Sequence, residues 1–262
     1  MSERGATLKL DGVTLDFGGL RAVDNVTTTI SGGELVGLIG PNGAGKTSLY
    51  NALTGIYPPT AGKVVFDGVD ITGMPPHKIA AHGLVRSFQL VSVFPDMTCL
   101  ENVLAGFHSK TRSGTFDALF RTETFKRERK DCLEAARLIL KKVGLERKAS
   151  VKAGNLSYGE RKRLDIGRAV AAAPKMLLLD EPAAGLNPVE RRELADLILT
   201  LHRDGYTMVV IEHDMKLIMG LVERVLVLDR GRLIADGTPQ QVQNDEKVIT
   251  AYIGRRPGHA GN

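Results

Sequence analysis

Apolar and polar residues alternate from Thr7 to Ser31 between glycine-containing turns, a pattern that predicts short antiparallel strands. An apolar strand follows from Glu34 to Gly40 and leads directly into a glycine-rich turn. Good helix formers then occupy Lys46 to Leu53, before Gly55. This part of the chain therefore predicts a β subdomain followed by a strand, a loop and a helix.

The middle of the chain has a different pattern of apolar positions. Strand signals are scarce from Leu90 to Ser157, and apolar residues recur there at helical spacing, at Leu133, Ala136, Leu140 and Val143. This stretch predicts a helical subdomain. Its portion from Phe107 to Phe125 has no clear period, and we assign it no function.

Strands and helices alternate again in the last third. The pattern predicts strands at Met176–Leu179 and Thr207–Ile211, helices at Val189–Asp204 and from Asp214, and a hairpin after Val225. Alternating strands and helices predict a parallel sheet covered on both faces. The fold class is therefore α/β, with an N-terminal antiparallel β subdomain and an inserted helical subdomain.

Bulk composition narrows the class of protein. Hydrophobic residues make up 43% and charged residues 25% of the 262 residues, as in ordinary globular proteins. No apolar run reaches the roughly 18 residues that span a bilayer. The N-terminus lacks an apolar stretch followed by a cleavage site, so we expect a cytoplasmic protein, peripheral on the inner face of the membrane if it binds one.

Charge and cysteine content argue against a nucleic-acid partner and against a zinc site or disulfide framework. The net charge of +5 would suit nucleic acid or an anionic membrane surface, but the densest basic run, residues 126–130, contains Glu128 and is typical of a solvated helix face. We expect no nucleic-acid partner. Cys99 and Cys132 have neither zinc-site nor disulfide spacing and are interpreted as small buried residues.

The strongest motif is the run from Gly40 to Thr47, which matches G-x-x-x-x-G-K-[ST] between a predicted strand and a predicted helix. Glycines let backbone amides surround phosphates, and the helix N-terminus favours an anion. Lys46 adds a positive charge, and the Thr47 hydroxyl can bind Mg²⁺. The motif therefore predicts a phosphate loop for ATP.

Two acids, Asp180 and Glu181, end the apolar strand that begins at Met176. The carboxyl ends of parallel strands meet at one edge of the sheet, where these acids would face the phosphate loop. Asp180 is the candidate for holding Mg²⁺, and Glu181 is the candidate general base for the attacking water. Two acids after a strand also form helix-capping turns, so the residues alone leave both interpretations open.

The run Leu156-Ser157-Tyr158-Gly159-Glu160 precedes a predicted helix, so Ser157 and Glu160 could simply form a capping box. The order of phosphate loop, Gln89, LSYGE, LLLDEP and His213 nevertheless resembles the nucleotide-binding domain of ATP-binding cassette proteins. LSYGE is similar to their LSGGQ signature, with Tyr158 and Glu160 as departures. The resemblance extends from Leu8 to about Gly254 and implies the P-loop NTPase fold.

The resemblance implies roles for individual residues. Glu181, His213 and Gln89 would be catalytic, and Thr47, Gln89 and Asp180 would hold Mg²⁺. Phe17 would stack on adenine, although a lone Phe beside two glycines could equally be core, and His213 would contact the γ-phosphate. The residues that would bind the nucleotide are Phe17, Val23, Asn42, Gly43, Ala44, Gly45, Lys46, Thr47, Ser48, Ser157 and Gly159.

The signature has a further implication in this family. Ser157 and the helix amides of one subunit would contact the γ-phosphate bound by another, so a complete site needs two chains in a head-to-tail dimer. The partner would be a second copy or a similar ATPase subunit. Asn187, in Gly185–Pro188, stands where many relatives carry Asp, and we assign it no catalytic role.

Within the family, the run Phe17–Val23, the NGAGKT loop and Ala184–Pro188 resemble ATP-binding subunits of branched-chain amino-acid importers. Subunits for urea import or lipopolysaccharide export carry similar phrases. A cassette ATPase acting on ribosomes or DNA is the alternative from another class. The resemblance implies integral-membrane permease partners and, indirectly, a substrate-binding protein.

The expected organisation is a single ATP-binding domain over residues 1–262. The core with its β subdomain would comprise about 8–89 and 158–240, the helical subdomain about 90–157, and the C-terminal tail 241–262.

Overall fold

The computed structural model describes residues 5–87, 93–107 and 123–253. Its strands are β1 Leu8–Phe17, β2 Leu20–Ile30, β3 Leu35–Ile39, β4 Ala61–Phe66, β5 Val69–Asp70, β6 Leu84–Ser87, β7 Met176–Asp180, β8 Thr207–Ile211, β9 Arg224–Asp229 and β10 Arg232–Gly237. Its helices are α1 Lys46–Leu53, α2 Pro76–His82, α3 Cys99–Gly106, α4 Glu123–Lys142, α5 Tyr158–Ala171, α6 Pro188–Arg203, α7 Met215–Leu221, α8 Pro239–Gln243 and α9 Glu246–Ile253. Short 3₁₀ turns lie at Glu146–Lys148 and Ala153–Asn155.

The described residues form two compact units. The first unit comprises the chain up to Leu84, Lys175–Pro182 and the chain from Leu199 onward. The second unit comprises Val85–Pro174 and Ala183–Ile198.

The first unit contains an antiparallel sheet with strand order β2-β1-β4-β5. Leu8 of β1 pairs with Ile30 of β2 and with Phe66 of β4, and all three side chains are buried. The predicted N-terminal β subdomain is therefore confirmed. Strands β4 and β5, which follow the phosphate loop in sequence, were not predicted.

A second sheet has strand order β10-β9-β3-β8-β7-β6. The pairs β3–β8, β3–β9 and β7–β8 are parallel, and the hairpin β9–β10 is antiparallel. Every residue of β3, β7 and β8 is buried, which is why these strands are continuous apolar runs rather than alternating ones. The predicted α/β class with a mostly parallel sheet is confirmed.

The second unit is largely helical where it is described. Helices α3, α4 and α5 contact one another, and the apolar positions Ala136, Leu140 and Val143 are buried as their spacing predicted. Thr98 begins α3 with a capping box, in which its side chain accepts from the Glu101 amide. Of the two cysteines, Cys99 is buried, whereas Cys132 is only partly buried, contrary to the expectation.

Within residues 5–87, 93–107 and 123–253, no helix combines the length and the apolar character that a bilayer crossing requires.

Tyr50 fixes helix α1 to the sheet. Its ring is fully buried, and its hydroxyl donates to the backbone oxygen of Val209 in β8 at 2.8 Å. Tyr50→Phe would remove this bond from a buried carbonyl, and we expect a loss of about 1 kcal/mol in the free energy of unfolding, measured by urea denaturation. Tyr57→Phe, at a half-exposed ring, is the control and should cost much less. Equal costs would contradict the role given to the Tyr50 hydroxyl.

Candidate functional site

The first unit contains a cavity of about 610 Å³ at the carboxyl end of β3. The phosphate loop forms much of its wall, and Glu181 reaches it from the end of β7. The lining residues are Leu20, Arg21, Ala22, Asn42, Gly43, Ala44, Gly45, Lys46, Thr47, Ser48, Glu181, Arg230 and Gly231. Seven of these, Asn42 to Ser48, are residues that the sequence predicted to bind the nucleotide.

Close backbone contacts hold the phosphate loop in its curve. Gly45 has φ 99°, and a Cβ atom there would lie 2.3 Å from the backbone oxygen of Ala22, so only glycine fits. The amide of Gly231 donates to the Ala44 oxygen at 2.9 Å, and the Asp24 amide donates to the Gly231 oxygen at 2.9 Å. The turn between β9 and β10 thus ties the loop to β2.

Lys46 is held by the loop itself. Its side chain is buried, and Nζ donates to the backbone oxygens of Gly40 at 2.6 Å and Pro41 at 3.1 Å. Burial lowers the pKa of Lys46, while the nearby Glu181 and Asp180 carboxylates act in the opposite direction. A bound phosphate would add negative charge and so favour the ammonium form that phosphate binding needs.

Glu181 leaves strand β7 in a conformation that is rare for a residue with a side chain. Its φ is 44°, in the left-handed region, while its amide still donates to the Ile211 oxygen of β8 at 3.0 Å. Such local strain occurs preferentially at functional sites. The pairing of β7 with β8 therefore fixes the backbone from which Glu181 reaches the cavity.

His213 lies beside this acid. His213 Nδ1 is 3.7 Å from Glu181 Oε1, and the exposed fractions of the two side chains are 57% and 22%. Asp214 follows as the N-cap of α7, with its carboxylate accepting from the Leu217 amide. An exposed imidazole next to a partly buried carboxylate can orient that carboxylate and contact a substrate as well. The structure brings together two of the three predicted catalytic residues.

The predicted magnesium ligands are oxygen donors, which suit this hard cation. Thr47 is exposed at the start of α1, and Asp180 is 2% exposed at the end of β7. Gln89, the third predicted ligand and third predicted catalytic residue, lies outside the described residues. Within the described ranges there is no cluster of three or more His, Cys, Asp or Glu that could hold a metal ion.

Two predicted nucleotide contacts within the first unit lie outside the cavity lining. Phe17 is 40% exposed, and its ring meets the Tyr57 ring edge-on with centroids 5.1 Å apart. Val23 is fully buried in the core of the first unit, so its side chain offers no surface to a ligand. The adenine-stacking role of Phe17 stays a prediction.

The cavity also contains two arginines that sequence reasoning missed. Arg21 bonds to Asp16 and Asp24 on the strands around it, and Arg230 stands in the turn after β9 with φ 45°. Arg21 lies in the run Phe17–Val23 but was given no role there, and Arg230 belongs to no motif. Their proximity to the phosphate loop arises from strand pairing, which periodicity does not reveal.

The signature run begins helix α5 in the second unit. Ser157 is its N-cap: Ser157 Oγ accepts from the Glu160 amide at 3.2 Å, and Glu160 Oε2 accepts from the Ser157 amide at 3.1 Å. The capping box is therefore present. It uses Ser157 Oγ only as an acceptor, so the hydroxyl proton is left for another partner.

Comparison with known proteins identifies the family. The family model described as ABC transporter matches residues 23–184, more than half of the chain. The chain belongs to the ABC transporter ATPase family. A second model, branched-chain amino acid ATP-binding cassette transporter, matches residues 232–257. The resemblance noted from the motifs is confirmed, and the chain is an ATPase subunit of the ABC type.

Relatives of this ABC ATPase align over nearly their whole length. The chain is 44% identical over 248 residues to the high-affinity branched-chain amino acid transport ATP-binding protein LivG of Escherichia coli K12, covering 94% of this chain and 97% of the relative. Identity and both coverages are the same for the corresponding protein BraF of Pseudomonas aeruginosa.

Solved ABC cassettes share the fold. The ADP conformation of MJ1267, an ATP-binding cassette of an ABC transporter, superimposes with a TM-score of 0.82 at 33% identity, covering 95% of this chain and 99% of the other. The dimeric structure of the bacterial ABC transporter cassette MJ0796 gives a TM-score of 0.73 at 28% identity, covering 88% and 98%.

The C-terminal segment of this ABC ATPase reaches the phosphate loop. Burial raises the pKa of Tyr252, on α9, to about 12, and a hydrogen bond with the backbone of Gly40 acts in the opposite direction. Tyr252 falls inside the segment matched by the branched-chain family model. The sequence pattern indicated no function for this tail, and the contact is evident only in the fold.

The position of Glu181 leads to a prediction for the Glu181→Gln variant. The amide cannot accept a proton from water, so we expect ATP binding to be kept and turnover to fall by at least about 100-fold. Hydrolysis is measured by phosphate release and binding by nucleotide titration. Glu223→Gln, an exposed acid outside the cavity, is the control. Unchanged hydrolysis in Glu181→Gln would remove Glu181 as the general base.

Proposed function

We propose that this chain is the ATP-binding subunit of an importer for branched-chain amino acids. The observation that carries the proposal is the 44% identity to LivG over 97% of that relative's length. The match of residues 232–257 to the branched-chain family model agrees with it, since this segment lies outside the general cassette model.

The described geometry supports a mechanism for hydrolysis. The phosphate loop would bind the phosphates of ATP through its amides, and Lys46 would exchange the carbonyls of Gly40 and Pro41 for phosphate oxygens. Glu181, oriented by His213, would take a proton from the attacking water. Asp180 and Thr47 would hold Mg²⁺, which supplies neutralisation of phosphate charge when it is bound.

The working ATPase is proposed to be a head-to-tail dimer, either of two copies or with a similar second subunit. Ser157 and Gly159 belong to the second unit, whereas the residues that line the phosphate cavity belong to the first unit. The signature would thus act on nucleotide bound by the partner chain. The dimeric structure of MJ0796, a related cassette, supports the formation of a dimer. ATP would close the dimer, and hydrolysis would open it.

A cavity of about 280 Å³ within the second unit is the proposed contact for a permease. Phe94 is 44% exposed there, and the Arg168 guanidinium lies over its ring at 5.4 Å while it also bonds to Asp165 at 3.0 Å. An exposed ring beside a paired arginine suits an amphipathic helix that presents apolar and polar groups together. Through this contact the ATPase would be peripheral on the inner face of the membrane.

The shared site is tested by Ser157→Arg. A bulky cation at the start of α5 would obstruct the partner's phosphates, so we expect each monomer to bind ATP normally while ATP no longer produces a dimer. Light scattering after size-exclusion chromatography measures the mass. Arg163→Ala, further along the same helix, is the control for helix stability. Normal dimerisation of Ser157→Arg would refute the shared site.

The permease contact is tested by affinity capture from membranes of the native host with the Glu181→Gln chain held in ATP. We expect hydrophobic permeases, a second cassette subunit if the dimer is mixed, and at least about tenfold lower permease recovery with Phe94→Ala, a hot-spot effect. Leu138→Ala, at an exposed apolar residue outside the cavity, is the matched control. Capture of ribosomes or DNA complexes would overturn the transport function.

A further inference from the structure

One carboxylate joins the signature run to the loop before helix α6. Glu190, in the first turn of α6, accepts from the Asn187 amide through Oε2 at 3.1 Å. Its other oxygen, Oε1, lies 3.5 Å from Ser157 Oγ, at the outer limit for a hydrogen bond. Both contacts lie within the second unit.

Glu190 is therefore available as the acceptor for the Ser157 hydroxyl proton. Ser157 Oγ already accepts from the Glu160 amide, and a hydroxyl carries one proton to donate. The carboxylate acceptor near that hydroxyl is Glu190. The serine of the signature is therefore oriented by two partners, one from its own helix and one from α6.

Asn187 closes the same arrangement from the other side. Its side-chain oxygen accepts from the Val189 amide at 2.9 Å and from the Glu190 amide at 3.0 Å. Asn187 and Glu190 thus form a reciprocal cap at the start of α6. This cap occupies Oε2 of Glu190, whereas Oε1 remains directed at Ser157.

Packing reinforces the bridge. A Cβ atom on Gly159 would lie 2.6 Å from Cδ and Oε1 of Glu190, so the absence of a side chain at Gly159 makes room for this carboxylate. Gly185 approaches the signature run in a similar way, since a Cβ atom there would lie 3.1 Å from Cε1 of the Tyr158 ring. The signature run and the 185–190 segment therefore fit together as one surface.

We infer that Glu190 is a positioning residue, which holds the Ser157 hydroxyl in the arrangement that engages the partner's nucleotide. This inference rests on the proposed shared site and adds to it a residue outside the known motifs. Glu190 acts through Ser157 rather than on the nucleotide. Loss of its carboxylate should therefore weaken ATP-driven dimerisation only while the Ser157 hydroxyl is present.

The test measures the ATP concentration that produces half-maximal dimer in chains carrying Glu181→Gln. We expect Glu190→Ala and Ser157→Ala each to raise it about tenfold, as for one lost charged hydrogen bond. The double variant should be no worse than about the worse single variant, because both changes remove the same interaction. Glu190→Gln keeps the size and an acceptor, and should recover most of the loss.

Glu193→Ala is the matched control. Glu193 lies on the same helix and pairs with Arg163 of α5, so it joins the same two helices without touching Ser157. We expect it to change the half-maximal ATP concentration less than twofold. An effect as large as that of Glu190→Ala would show that Glu190 acts only through general packing between the two helices, and it would overturn the inference.

The remaining outcomes distinguish the proposed shared site from the positioning role of Glu190. A Glu181→Gln chain that stays monomeric in ATP, both alone and with the second cassette subunit captured from the host, would contradict the proposed shared site, and the inference with it. A chain that dimerises while Glu190→Ala and Ser157→Ala add fully would contradict the inference alone. An ATP requirement in Glu190→Gln below that of the chain with Glu190 intact would also overturn it, because the carboxylate would then compete with phosphate rather than position the serine.

Discussion

The phosphate loop depends on backbone approaching backbone more closely than any side chain permits. At Gly45 the carbonyl of Ala22 occupies the space of a Cβ atom, and at Gly40 the carbonyl of Leu228 does the same, at 2.2 Å. Strands β2 and β9 therefore determine the shape of a loop that lies between β3 and α1 in sequence. The shape of the cavity and the burial of Lys46 follow from this contact, whereas the pairing of β7 with β8 places Glu181 beside them.

Charge in the cavity is arranged to hold the Lys46 side chain and to attract a polyanion. The buried ammonium of Lys46 is held by two carbonyls of its own loop, and the acids at the end of β7 partly offset the cost of burying it. A polyphosphate brings the opposite charge to the same place. The hydrogen bond to β8 holds the Glu181 backbone in its left-handed conformation, and His213 lies next to the Glu181 carboxylate.

Helix capping connects stability with function in the second unit. The start of α5 and the start of α6 each have a reciprocal cap, at Ser157 and at Asn187, and Glu190 contributes to one cap while approaching the other. The capping interpretation and the signature interpretation of LSYGE are therefore compatible, because one serine oxygen has both an acceptor and a donor function. The organisation into core, helical subdomain and tail remains our proposal for the whole chain.

Local pattern by itself determined the strand, loop and helix around residues 35–53, the strand at Thr207–Ile211, the capping box at Ser157 and the motif residues, since burial on both faces and capping impose strict sequence requirements. The sequence pattern did not reveal β4, β5, Arg21, Arg230 or the approach of Tyr252 to Gly40. It also did not reveal that the side chain of Val23, which was predicted to contact the nucleotide, is buried. Except for β5, which pairs with β4 across the local turn Asp67-Gly68, those features arise from contacts between segments far apart in the chain. Only the tertiary structure decides them, because such contacts leave no periodic signal in either segment.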